Sequence, residues 1–148
     1  MAFRQDLDPI SYLEGTGAAQ VAVGWLERGQ PFPRGLVDEA FFMALARLCA
    51  APWQPFVTAG RQPCTFCRFS GGPALVSSKG VHVPIGASNV FVPGADRLYV
   101  APTMVVHYID AHEYVPPTEF QEAVLRCPEM KSMAYLKAIR ALGFSLRR

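Results

Sequence analysis

Two short spacings constrain this chain more than anything else in it. Cys64-Thr-Phe-Cys67 is a close cysteine pair, and His107 and His112 stand five residues apart some forty residues later. Thiolates and neutral imidazoles are the ligands that zinc takes in tetrahedral sites. If the four side chains serve one ion, the fold must bring the loop around residue 64 onto the segment around residue 107. The C-x-x-C spacing suits this, because a tight turn lets both sulfurs and nearby backbone N–H groups face one metal. H-x4-H lies within the spacing used by paired histidine ligands. Five residues along a regular helix turn through about 140° beyond a full circle. The two imidazoles therefore converge only if the helix ends near Ala111 and His112 lies in the turn. Zn2+ is the expected cofactor, with Cys64, Cys67, His107 and His112 as its ligands.

Other readings of the same residues stay open. His107, between Val106 and Tyr108, could be a buried histidine bonded to a carbonyl. The cysteine pair could be redox-active, although such pairs favour a helix N-terminus and a lowered thiol pKa. A cysteine nucleophile with His107 as base and Asp110 as orienter is a third arrangement. A catalytic zinc with a bound water would need a base, for which Glu113 and Glu119 are available by position. His82 alternates with Val81 and Val83 and is read as an outward strand residue. Cys49 and Cys127 fall on apolar helix faces and read as small buried hydrophobes.

Composition narrows the class. The chain has 148 residues, of which 51% are hydrophobic and 18% charged, enough apolar material for a core in one domain, 1–148. Residues 1–13 read as a loosely ordered lead-in. No apolar run approaches the roughly 20 residues that cross a bilayer. The N-terminus lacks a signal-peptide core. The expectations are a cytoplasmic protein with no membrane association. The net charge of +2 is too small to argue for nucleic acid.

Prolines and glycines cut the chain into short elements. Ala19 to Glu27 reads as a helix stopped by Gly29, and Val37 to Ala50 as a second, ended by Pro52. Phe56-Val57-Thr58 reads as a strand. Trp53, after Pro52, reads as a core plug. Ala74–Ser77 and Val81–Ile85 flank a Lys79-Gly80 turn, and Ser88–Val92 and Arg97–Val100 flank another. Three helices follow. The first runs from Pro102 to Ala111. The second is opened by a Thr118–Gln121 capping box. The third spans Met130 to Leu142, with Met133, Leu136, Ile139 and Leu142 inward. The expected fold is α+β: a small antiparallel meander packed against about five helices. A cysteine knuckle, a hairpin and then a ligand-bearing helix is also the order of treble-clef-like zinc sites.

Taken together, Cys64-x-Phe-Cys67, Tyr99-Val-Ala-Pro102, His107-Tyr-Ile-x-x-His112-x-Tyr114 and Pro116-Pro-x-Glu-Phe-x-x-Ala-Val124 resemble a family of small bacterial proteins of unknown function. Gly24-Trp-Leu26, Pro31-Phe-Pro33 and Val37-Asp38 extend the resemblance, which covers about Val23 to Val124. Family members often carry a histidine where this chain has Gln62. The resemblance implies a shared fold and site and brings no activity. Two functions follow as expectations. One is a non-enzymatic binding protein with structural zinc, immunity-like in kind, meeting a protein partner through aromatics near Trp53, Phe56 and Phe66. The other is a small zinc hydrolase with an open coordination position.

Overall fold

β5 (Arg97–Pro102) is the strand around which the chain assembles. A computed structural model describes residues 3–13, 17–55, 62–67 and 69–144. In chain order the elements are β1 (Ala19–Ala22), α1 (Glu39–Ala50), β2 (Leu75–Ser78), β3 (Val81–Pro84), β4 (Asn89–Pro93), β5, α2 (Val105–His112), α3 (Thr118–Arg126) and α4 (Met133–Ala141). The class is α+β, with four helices among the described residues rather than about five. The strands form two sheets: β1-β5-β4, and the separate hairpin β2-β3.

The missing helix is β1. It pairs in parallel with β5, Val21 opposite Tyr99. Residues 21–26 are all buried. A strand covered on both faces shows a continuous apolar run with no alternation, and periodicity alone does not separate that run from a buried helix. Gly24 then ends any regular structure. It has φ +77, and a Cβ there would stand 2.7 Å from Val105 Cγ2, so only glycine lets β1 pass so close to α2.

The lead-in that reads as loose in sequence is tied along the outer edge of β1. Leu7 N–H donates to the Ala22 carbonyl, and Ala22 N–H to that of Asp8. Ile10 and Leu13 are buried. Asp6 anchors this segment. Its carboxylate accepts from Gly24 N–H at 3.1 Å and from the Tyr114 hydroxyl at 2.7 Å.

The three-stranded sheet has a core on each face. Val90 and Val92 of β4 and Tyr99 and Ala101 of β5 join the cluster that contains α1, α2 and α3 residues. The alternate residues Phe91, Leu98 and Val100 join Trp25, Trp53, Tyr135 and Ile139. This is the two-residue period of a strand distributed over two helical layers. Trp53 is the expected core plug, edge-on to Phe91 and Tyr135. The β2-β3 hairpin instead packs on the α1 side through Val76, Val83 and Ile85, with Lys79 paired to Glu39 across to α1. The strand expected at Phe56–Thr58 lies outside the described residues.

The caps of α3 and α4 differ from the sequence expectation. Pro117, not Thr118, is the N-cap of α3, and no side chain caps it. Gln121 is therefore one position too far along for a capping box, and its amide donates to the Pro116 carbonyl at 2.8 Å. In α4 the cap is Ser132, whose hydroxyl accepts from Tyr135 N–H. That start turns Tyr135 and Ile139 inward and leaves Met133 exposed.

Replacing Asp6 with alanine strands the buried Tyr114 hydroxyl and the Gly24 N–H. We expect a loss of about 1–3 kcal/mol, read as a lower urea midpoint at unchanged slope. An unchanged midpoint would show that this anchor contributes nothing to stability.

Candidate metal centre

The cysteine loop is built by its own backbone. Cys67 N–H donates to the Cys64 carbonyl at 3.3 Å, Gly71 N–H to the Cys67 carbonyl at 2.9 Å, and Cys64 N–H to the Gly71 carbonyl at 2.6 Å. The loop stem is held against the hairpin. Gln62 N–H donates to the Gly86 carbonyl, and Ile85 N–H to that of Ala74. Cys64 is thereby buried, with Cys67 at the edge of the core.

The histidines come from α2. His107 lies inside the helix and is buried at 5% exposure. His112 is its last residue. Glu113 follows at φ 59 and ψ 28, and this left-handed step ends the helix. The chain then runs beside residues 33–35, with Gly35 N–H donating to the Glu113 carbonyl and Val115 N–H to the Pro33 carbonyl. His112 is thus still helical, not in the turn as expected, and the two imidazoles converge with both residues inside α2. The rings stand edge to face with centroids 5.0 Å apart.

Sulfurs and ring nitrogens meet at this point. The donor atoms of Cys64, Cys67, His107 and His112 all lie within 4.8 Å of one another. Cys67 Sγ is 3.3 Å from His107 Nε2 and 3.6 Å from His112 Nε2. Cys64 Sγ is 3.6 Å from His112 Nε2. Zinc–sulfur and zinc–nitrogen bonds of the usual length, set at a tetrahedral angle, place S and N about 3.5 Å apart. The four side chains lie close enough together to hold a metal ion.

The protonation states suit that use. Burial lowers the pKa of His107, helped by the neighbouring His112 and opposed by Asp110. Burial lowers that of His112, and Arg34 adds to the effect. Both imidazoles are then neutral near pH 7, with a lone pair to give. Burial pushes the Cys64 thiol up, while the backbone N–H groups of Phe66 and Cys67 bond its sulfur and favour the thiolate. These N–H groups stabilise the charge that a cation would demand.

The remaining candidates lie elsewhere. His82 is exposed on β3, its Nδ1 2.7 Å from Ser77 Oγ. Asp110 and Glu113 are exposed. Glu119 accepts from the Tyr99 hydroxyl at 2.6 Å and pairs with Arg97 at 3.4 Å. Among the described residues no carboxylate joins the four-residue cluster. Cys49 is buried, and burial pushes the half-buried Cys127 thiol up to about 12. Phe66, expected as a partner contact, is instead packed into the site. It sits between the cysteines, its ring 5.2 Å from that of His112 and 5.7 Å from that of Tyr108.

Residues 2–125 match the family described as Domain of unknown function (DUF7919). The chain belongs to this family. No curated protein and no solved structure matches it. The match includes the cysteine loop and all of α2, so the four clustered residues lie inside the family domain, while α4 lies beyond it.

Two outcomes are expected. Cys64→Ser should lose most of the bound metal on elemental analysis of purified protein, whereas Cys127→Ser should keep it; equal metal in both would detach the cluster from metal binding. Because binding must displace the Cys64 proton, affinity should rise with pH, by up to about tenfold per unit for each proton released. Competition against a chelating indicator measures this, and a pH-independent affinity would contradict it.

Proposed function

We propose that the chain is a non-enzymatic binding protein whose fold is stapled by one zinc ion held by Cys64, Cys67, His107 and His112. The observation that carries this reading is the convergence of two sulfurs and two imidazole nitrogens within 4.8 Å. Two thiolates and two imidazoles form a soft, nitrogen-and-sulfur donor set, which favours zinc over the oxygen-seeking magnesium or calcium. Four protein donors complete a tetrahedron, the arrangement of structural sites; catalytic sites keep a position for water. When bound, the ion supplies folding free energy, because the site does not exist in the unfolded chain. Here it would lock the loop at residues 62–72 to the C-terminal end of α2.

The binding half of the reading draws on the loop surface. Phe69 is fully exposed beside the cysteine turn, and a zinc staple would hold that ring out in solvent at little entropic cost on association. Such a surface suits a protein partner.

Melting with and without a strong chelator tests the proposal. The zinc-loaded protein should lose roughly 10 °C or more in Tm when the ion is stripped. Zinc that leaves without a change in Tm would overturn the structural role and favour a small hydrolase with an open metal position. Protein that takes up no zinc at all would end the proposal.

A further inference from the structure

The turn that closes the cysteine loop does more than join it to the hairpin. Gly71 and Gly72 are both left-handed, with φ +72 and φ +94. Gly72 packs directly on the cluster. A Cβ at this position would stand 3.0 Å from Cys64 Cβ and 3.7 Å from His107 Nε2. The latter is the nitrogen that faces Cys67 Sγ at 3.3 Å. The same turn borders an open cavity of about 440 Å³. Its described lining is Pro63, Ser70, Gly71, Gly72 and Ala74, and none of the four clustered side chains reaches it. Gly72 thus borders the cavity and also touches Cys64 and His107.

We propose that Gly72 is a positioning residue of the metal centre: its bare backbone lets Cys64 and His107 pack against the turn beside them and bars exogenous ligands in the adjoining cavity from the ion. The inference rests on the zinc reading above and adds the reason that the centre stays closed. Glycine is favoured twice over. The left-handed backbone disfavours any side chain, and a Cβ would press on Cys64, which would have to give way by a few tenths of an ångström. Gly80 separates these two causes. It has φ +83 in the hairpin turn, and nothing lies within 4 Å of a Cβ placed there. Gly80→Ala therefore carries the backbone strain alone.

Cobalt(II) substitution reads the coordination directly. The wild-type chain, Gly72→Ala and Gly80→Ala are loaded with Co2+, their visible spectra recorded, and each is titrated with azide. Wild type and Gly80→Ala should give the same intense tetrahedral bands, unmoved by azide. Gly72→Ala should bind Co2+ roughly tenfold to a hundredfold more weakly, with bands that shift when azide is added. A Gly72→Ala spectrum and affinity equal to those of Gly80→Ala would overturn the positioning role. A wild-type spectrum that moves with azide would overturn the exclusion of ligands. If Gly72→Ala does not fold, the wild-type azide titration alone decides. Failure of the wild-type chain to bind Co2+ would instead strike the zinc reading itself, so the two ideas fail by different signs.

Discussion

His107 is buried in α2 among Val105, Val106 and Tyr108, and the group facing its Nε2 is a cysteine sulfur. A buried polar side chain costs free energy unless it is satisfied, and sulfur is a weak hydrogen-bond partner. A cation shared with Cys64, Cys67 and His112 would satisfy all four groups at once. Other features of this region follow from that convergence. The loop folds back on itself to present both sulfurs, and α2 carries both imidazoles, the second on its last residue. Gly71 and Gly72 then return the chain to the hairpin without intruding on the site.

The apolar framework delivers these pieces. β5 is paired on both edges and buried on both faces, and α2 follows it after Pro102 with two residues between, so the position of His107 is inherited from the most constrained strand in the fold. Gly24 and Tyr114 meet the same Asp6 carboxylate, which couples the N-terminal segment to the chain just past His112. On the loop side the framework is thinner. The described loop residues between 62 and 72 are held by backbone bonds within the loop, by Gln62 N–H to the Gly86 carbonyl and by Arg28 N–H to the Thr65 hydroxyl. A metal staple would contribute most at this point, joining the less supported element to the better supported one. The aromatic layer of Phe32, Phe66, Tyr108 and Tyr114 covers the same junction with edge-to-face contacts.

Much of this was legible in the sequence, and the reasons differ from element to element. α1 shows a helical apolar period and a proline stop, and its observed start at Glu39 lies two residues inside the expected one. Lys79-Gly80 marked the hairpin turn because both residues take positive φ there. β1 was misread because burial on both faces erases alternation. The α3 cap was misread because Pro117 competes for the position that Thr118 would need. The four clustered residues were legible through donor chemistry and spacing alone. Their convergence was not, since helical geometry alone turns residues 107 and 112 about 140° apart, yet both lie in α2 and their rings meet. Phe66 and Gly72 were missed as parts of the site because an aromatic or a glycine beside a cysteine has many ordinary uses; only the packing distances single them out.

The most direct test of the account is X-ray absorption spectroscopy of the zinc-loaded protein. The account predicts one zinc per chain with two sulfur neighbours at about 2.3 Å and two imidazole nitrogens at about 2.0 Å, and no additional oxygen. A shell containing a water oxygen, fewer than two sulfurs, or no bound zinc would contradict it.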